Sequence, residues 1–415
     1  MMKDASTFQA DGATSLRANR MTLLDVDSAP AVNAPLDPHL SRKLRVVLPY
    51  SLYLDPERSR GVGSYVKAHA HALAERGHEV WILTSGKGEP IRLLPNLTVV
   101  PVSEVEPFLR SSQFFSPRFL FGRFRYMWRI WRFVRHHKAD VLEASDGGFE
   151  HLFCLLFPGP KCITRLHGNL TDHRTLMFAP VLDSVEWLVL RLSDLLAAPT
   201  RSAAEHIAGK YGFPQERILV VPDGVDLVSG HKRIDVREKY GFEDKKIVLF
   251  TGVLSMRKGI DLFVALAKRF NRPEYADIVF VSRGKSDPSY TPGDLPDNYY
   301  PLGFADRDEF FSFYEASNLF VSTSRHETFG YTSIEALRFG LQVLVSDCTG
   351  TRDVVEPGPG ATLFKSGDLE DLCEKFKMLW ERDRLLKTTY PENIARSRCF
   401  DVRTAVLGME KLYLE

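Results

Sequence analysis

The chain is poor in cysteine. Its 415 residues hold five, Cys154, Cys162, Cys348, Cys373 and Cys399, with no CxxC pair and no His at zinc-site spacing. So sparse and odd a set excludes a disulfide scaffold and fits reduced thiols in a cytoplasmic protein. No run approaches the ~20 uncharged apolar residues that a membrane-spanning helix needs. The polar N-terminus lacks the apolar centre of a secretion signal. Net charge is almost absent, with 54 Lys+Arg against 53 Asp+Glu. That excludes a chain that grips nucleic acid with its whole surface. Hydrophobic residues make up 44% and charged residues 26%. These ordinary values exclude a disordered or collagen-like chain, and the length suggests two or three domains.

What is present is an alternation of strand and helix signals. Residues 1–43 lack periodicity and read as a disordered tail. Order begins at Leu44–Pro49, a β-branched run suited to a buried parallel strand. Gly61-Val62-Gly63 follows as a tight turn, then a helix from Ser64 to Arg76, a Gly77 stop and the strand Glu79–Thr84. This is a βαβ unit. Further strands are expected at 141–143, 162–166, 195–198 and 218–221, with helices at 181–192 and 202–211. The turn cluster Pro222-Asp223-Gly224-Val225-Asp226 marks a domain boundary. A second series starts at Ile247–Thr251 and continues through a helix at 259–270 and strands at 278–281, 319–322 and 343–346. From Asp368 the pattern is helical. The expected organisation is a tail (1–43), a first Rossmann-like domain (44–226), a second Rossmann-like domain (227–390) and C-terminal helices (391–415) packing back toward the first domain. Two doubly wound, Rossmann-like α/β domains would bind ligands at strand carboxyl ends, in the cleft between them.

Several weak signals fall at such ends. Glu327 and Glu335 lie eight residues apart, flanking a helix start near Gly330. Acids there suit sugar and ribose hydroxyls, and the free N–H groups suit anions. Taken alone, such a pair is more often an N-terminal helix acid and a surface acid. Arg257-Lys258-Gly259, between a strand and a helix, suits a diphosphate, though any such pair is commonly solvated. Gly61 and Gly63 lack the third glycine of a dinucleotide fingerprint. This disfavours a dinucleotide-dependent oxidoreductase. His167-Gly168 ends a strand, where a lone His is more often structural.

Taken in order, these residues resemble the retaining nucleotide-sugar glycosyltransferases of family 4, with the two-domain GT-B fold. The resemblance runs from Leu44 to the C-terminus. It rests on Gly61/Gly63 with Glu75-Arg76-Gly77-His78-Glu79-Val80, His167-Gly168, Val221-Pro222-Asp223-Gly224-Val225-Asp226, Arg257-Lys258-Gly259, Glu327 to Glu335, and Gly350-Thr351-Arg352-Asp353-Val354-Val355-Glu356.

The resemblance implies roles. Glu327 would bind the donor sugar hydroxyls, and the backbone of Phe329, Gly330 and Tyr331 its sugar or phosphate oxygens. Glu335 would hold the ribose diol and Lys258 the diphosphate. His167 would orient the sugar, with His167, Lys258 and Glu327 forming the catalytic set. Gly63, beside Gly61, would leave room for the donor phosphate and acceptor, and Leu302-Gly303 would meet the nucleobase. No metal or other cofactor is implied, and no DxD-type cluster is seen. Asp353 and Glu356 read as structural. The family's Gly-Arg is here Gly252-Val253, so Arg257 would have to substitute. Val253 keeps open a non-catalytic nucleotide-sugar-binding partner protein. A nucleotide-sugar epimerase of related shape is the other alternative. The expected reaction is hexosyl transfer with retention from a nucleoside-diphosphate sugar to a saccharide or lipid-linked acceptor, in cell-surface polysaccharide or glycolipid synthesis. Asp146 is the acceptor-side candidate.

One segment breaks the charge balance. Residues 107–138 carry eight Lys+Arg, ten aromatics and no acid, leaving 46 bases against 53 acids elsewhere. Arg125, Arg129 and Arg132 share one helical stripe beside Trp128 and Trp131. Such a profile suits a helix lying on an anionic membrane. It equally suits a domain helix whose arginines are solvated. Nucleic-acid stacking is a weaker third use. The expected location is cytoplasmic, with peripheral contact on the inner face of the membrane.

Overall fold

The structure is a computed structural model that describes residues 42–55, 61–105, 116–168, 179–227, 230–287 and 290–415. Residues 1–41 of the expected tail and 107–115 of the cationic segment lie outside the described residues. The first domain contains β1 (Arg45–Pro49), α1 (Gly61–Glu75), β2 (Glu79–Thr84), β3 (Ile91–Leu94), β4 (Leu97–Pro101) and α2 (Pro117–His136). It continues with β5 (Val141–Ser145), α3 (Leu152–Leu156), β6 (Lys161–Arg165), α4 (Ala179–Leu192), β7 (Leu195–Ala198), α5 (Arg201–Tyr211) and β8 (Ile218–Val220). These strands form one sheet in the order β3-β4-β2-β1-β5-β6-β7-β8, parallel except for β3 against β4.

The second domain contains α6 (Val236–Tyr240), β9 (Lys246–Thr251), α7 (Ile260–Arg269), β10 (Ile278–Arg283), β11 (Tyr299–Pro301), α8 (Arg307–Ala316) and β12 (Leu319–Ser322). It continues with α9 (Tyr331–Arg338), β13 (Gln342–Ser346), α10 (Thr351–Val354), β14 (Ala361–Phe364) and α11 (Leu369–Asp383). Its sheet runs β11-β10-β9-β12-β13-β14, with every pair parallel. The apolar runs form strands because both sheet faces are covered. All residues of β10, β12 and β13 are buried, as a sheet between two helical layers requires.

The expected glycine turn before α1 is instead the helix's first turn, which begins at Gly61 and buries Gly63. The N–H groups of a first turn need no intrahelical partner, so glycine there forfeits little. Four strands fall outside the expected set: β3, β4, β11 and β14. All have five residues or fewer, and β3 is almost wholly exposed, so hydrophobic runs do not reveal them.

The chain crosses between the domains twice, at Val225 and at Val402. Val225 N–H donates to Phe400 O at 2.8 Å, and Val402 N–H donates to Val225 O at 3.1 Å. A Cβ on Gly224 would stand 2.2 Å from Val402 Cα, so only glycine permits this crossing. α12 (Pro391–Arg398) packs on α9, while α13 (Val402–Leu414) packs on α1. Glu410 of α13 accepts from Arg76 at 2.8 Å and hydrogen-bonds His78 Nε2 at 2.8 Å. Four of the five cysteines are buried, and none of the five is in a disulfide.

Candidate active site

The site gathers at the carboxyl ends of both sheets. In the second domain, β9 leads into Ser255–Gly259 and then α7. Gly259 has φ +68°, and a Cβ there would lie 1.9 Å from Thr323 O. The turn therefore presses against the loop after β12. This brings Lys258 Nζ into a hydrogen-bonded ion pair with Glu327 Oε1. Ser324 Oγ donates to the same oxygen at 2.8 Å. Arg257 Nη1 lies 4.0 Å from Glu327 Oε2 and 3.1 Å from His326 O. Burial alone would raise the Glu327 carboxyl, but Lys258 and Arg257 hold it below the ordinary carboxylate range. The result is an ionised acid and two cations at one strand end.

Glu335 behaves oppositely. Burial pushes its carboxyl up to about 7, although the Tyr314 hydroxyl donates to it. That bond is 3.0 Å long. Between the two acids, Gly330 takes φ +88° and starts α9. Phe329 is buried, and the N–H groups of α9's first turn open onto the loop. Gly350, φ +83°, lies so close that a Cβ would stand 2.7 Å from Glu327 O. It lets the following loop pack under the Glu327-Thr328 backbone.

The first domain meets this loop. Thr328 Oγ1 donates to His167 O at 2.7 Å, and Thr200 Oγ1 donates to Thr328 O at 2.9 Å. Ser202 N–H donates to Asp353 Oδ2 at 2.7 Å. Asp353 thus ties the domains together, while Glu356 pairs with Arg396 at 2.7 Å. Gly61 abuts the Tyr331 ring, which would lie 3.7 Å from a Cβ at that position.

His167 sits against the Tyr65 ring, centroids 4.6 Å apart, with Nδ1 3.3 Å from Asp223 Oδ2. Asp223 also receives Arg165 Nη2 at 2.7 Å and the Tyr331 hydroxyl at 3.1 Å. Burial would raise Asp223, but His167 and Arg165 hold it far below the usual carboxylate range. Behind it, Glu143 accepts from Tyr65 and Tyr413. Burial works against its charge, yet His69 and Arg165 bring it down to about 2.

This buried network joins His167, the interdomain linker, α9 and α13. The sequence shows Asp223 only within a turn cluster that shares in the family resemblance, and nothing local gives its side chain a partner. The one available signal was Arg165 two residues before His167, a charge inside a strand.

Asp146 is buried under the His167-Gly168 turn. Its oxygens accept from His167 N–H at 3.3 Å and Gly168 N–H at 3.4 Å. Burial, reinforced by Glu186, raises its carboxyl well above the ordinary value. Leu302 and Gly303 lie beside the end of β10. Arg283 takes Leu302 O at 2.7 Å, and Gly284 N–H takes Gly303 O at 2.8 Å. Among the described residues, no group of three His, Cys, Asp or Glu side chains forms a metal site. No helix among them is long and apolar enough to cross a membrane.

Comparison with known proteins agrees with this geometry. The family model "Glycosyltransferase Family 4" matches residues 59–229, and "Glycosyl transferases group 1" matches residues 232–396. Mannosylfructose-phosphate synthase of Agrobacterium fabrum is 30% identical over 220 residues, 48% of this chain and 48% of that protein. This chain thus matches about half the length of that relative. A sulfoquinovosyl transferase of Arabidopsis thaliana is 24% identical over 388 residues, 87% of this chain and 72% of that protein. Sucrose-phosphate synthase of Thermosynechococcus elongatus superposes with a TM-score of 0.73 at 20% identity, covering 90% of this chain and 98% of that one. Anabaena HepE in complex with UDP-glucose gives a TM-score of 0.67 at 16% identity, covering 89% of this chain and 99% of that one. Two α/β domains whose strand ends meet at one site, and two adjoining family matches, lead to one conclusion: the chain belongs to the glycosyltransferases, a family 4 domain followed by a group 1 domain on a GT-B frame.

Proposed function

We propose that the protein is a retaining hexosyltransferase. It takes a nucleoside-diphosphate sugar and transfers the hexosyl group to a saccharide or lipid-linked acceptor, in cell-surface polysaccharide or glycolipid synthesis on the cytoplasmic side of the membrane. The observation that carries this reading is the convergence of Lys258, Arg257 and Glu327 on the strand end beside the start of α9.

Breaking the bond from the sugar's anomeric carbon to phosphate leaves negative charge on the diphosphate. It leaves oxocarbenium character on the sugar. Preorganised cations and N–H groups aimed at that charge are the main lever on rate. Lys258 and Arg257 take the diphosphate, and Glu327 turns its second oxygen to the sugar hydroxyls. Glu335 takes the ribose diol, and Leu302-Gly303 lies along the base. His167, held by Asp223, orients the sugar. The acceptor oxygen attacks from the face the leaving group departs, and the departing phosphate takes the acceptor's proton. The cationic role falls to side chains in this reading, so no resident metal is invoked.

Val253 favours a second reading, a non-catalytic donor-binding partner, because it removes one cation from the phosphate turn. The deciding experiment incubates the protein with a panel of nucleotide sugars, with and without acceptors, and measures released nucleoside diphosphate. Acceptor-dependent release supports the transferase. Donor binding without release identifies the partner protein, and a changed sugar nucleotide without acceptor identifies an epimerase.

A further inference from the structure

α2 carries apolar side chains on more sides than its packing uses. Phe119, Arg123, Tyr126, Ile130 and Val134 form the buried stripe against the sheet. That stripe meets the needs of an amphipathic domain helix. Yet Phe121 is 65% exposed, Phe124 55% and Trp128 38%. At 100° per residue, Phe121 and Trp128 point directly away from the buried stripe. Arg118, Arg125, Arg129 and Arg132 line one flank of this outer face. The other flank abuts α3. There the Phe124 and Phe153 rings lie 5.0 Å apart and the Trp131 and Phe157 rings 5.6 Å apart. The end of α3 adds two more outward side chains, Leu156 and the following Phe157, at 51% and 49% exposure.

Charge selects the occupant. Residues 117–138 contain no acid. The nearby acids already have partners: Glu104 pairs with Lys87 at 2.8 Å and also lies within electrostatic reach of Arg125, and Asp140 pairs with Arg45 at 3.3 Å. Arg132 lies 4.8 Å above the Trp128 ring and Arg135 5.1 Å above the Trp131 ring. These pairs present aromatic and cation together, the mixture that sits at the boundary between headgroups and acyl chains. A solvated helix face would leave Phe121 and Trp128 without a use.

We propose that the outer face of α2 and the exposed end of α3 form a docking surface for an anionic lipid bilayer. α2 lies in the plane of the interface, its aromatic side chains in the headgroup boundary and its arginines on lipid phosphates. Docking there would hold the cleft beside a bilayer-embedded acceptor. That consequence rests on the transferase reading, whereas vesicle binding does not.

The test is co-sedimentation of the full-length protein with phosphatidylcholine vesicles and with phosphatidylglycerol-containing vesicles. The protein is expected to bind the anionic vesicles at low salt, to bind neutral ones weakly, and to be released as salt rises. Phe121→Ser with Trp128→Ser is expected to lower partitioning by about tenfold or more. Arg118→Ser and Arg132→Ser should each lower it about fivefold. All four side chains are exposed, so thermal melts should match the parent. If the aromatic pair fails to fold, the arginine variants carry the test. Absence of binding to anionic vesicles at low salt overturns the proposal. So does equal binding by parent and arginine variants. Concentration-dependent self-association abolished by the aromatic variant would reassign the face to a contact between copies and overturn it as well.

Discussion

Replacing Asp223 by alanine should destabilise the protein severely. Asp223 is 1% exposed, and Arg165 beside it is 0% exposed. The carboxylate accepts from Arg165 Nε at 3.0 Å and Nη2 at 2.7 Å, with His167 and Tyr331 on its other oxygen. Alanine would leave a guanidinium buried with its nearest acid removed. Breaking such a pair on one side costs about 3–5 kcal/mol. Glu143 is the remaining anion acting on Arg165 and would soften the loss, so the lower end, about 3 kcal/mol, is expected.

The pH dependence has a fixed sign. The folded carboxyl lies below its unfolded value. Its contribution is therefore complete above about pH 4 and is lost as pH falls toward the folded value. Urea unfolding at pH 7 measures the effect as a shift in midpoint at constant slope. In the alanine variant, the loss of stability between pH 5 and pH 3 should be shallower than in the parent. A carboxyl that the unfolded chain protonates and the folded chain does not costs about 1.4 kcal/mol for each further drop of one in pH, and the variant lacks that carboxyl. A destabilisation under about 1 kcal/mol would refute the reasoning, because a surface ion pair is worth that little.

Three further outcomes follow from the site. Lys258→Ala should lower turnover by about two to three orders of magnitude while the far-ultraviolet circular dichroism stays unchanged. A normal rate would remove Lys258 from the phosphate site. Glu335 is neutral in the folded protein below about 7. If it binds the ribose diol as a carboxylate, donor affinity should rise about tenfold from pH 6 to pH 8, and Glu335→Gln should flatten that profile. A flat profile in the parent would reject the assignment. Ionising Glu335 in the free protein opposes folding, so its contribution to stability should fall as pH rises from about 4.5 to 7. Gly259→Ala places a Cβ 1.9 Å from Thr323 O at φ +68°. It should cost at least the ~1–2 kcal/mol of the left-handed conformation, read as a lower melting temperature. An unchanged melting temperature would show that the turn relaxes freely.

Much of this architecture is legible in the sequence because buried parallel strands are uninterrupted apolar runs. Leu195–Ala198 and Leu319–Ser322 fall where such runs predict them. The β3–β4 pair escapes the same reasoning, since β3 is exposed at the sheet edge. Arg257, Lys258, Glu327 and Glu335 are found by residue type next to strand ends, and the fold brings them within reach of one another. Asp223, Arg165 and Glu143 are not found that way. Their partners lie far along the chain: Asp223 with Arg165 58 residues away, and Glu143 with Tyr413 270 residues away. No local pattern encodes such a pairing. Likewise the cationic segment announces its composition, but only packing shows that Phe121 and Trp128 face outward while Tyr126 and Ile130 face the sheet.

The central claim is that the turn at Lys258, opposite Glu327, receives the diphosphate of a nucleotide sugar. Calorimetric titration of uridine, guanosine and adenosine diphosphates into the parent and into Lys258→Ala tests it most directly. One of these nucleotides should bind the parent, and the variant should bind it at least about tenfold more weakly, the loss of one charge-assisted contact to phosphate. Equal affinity in the two proteins, or no binding of any of the three, would contradict the claim.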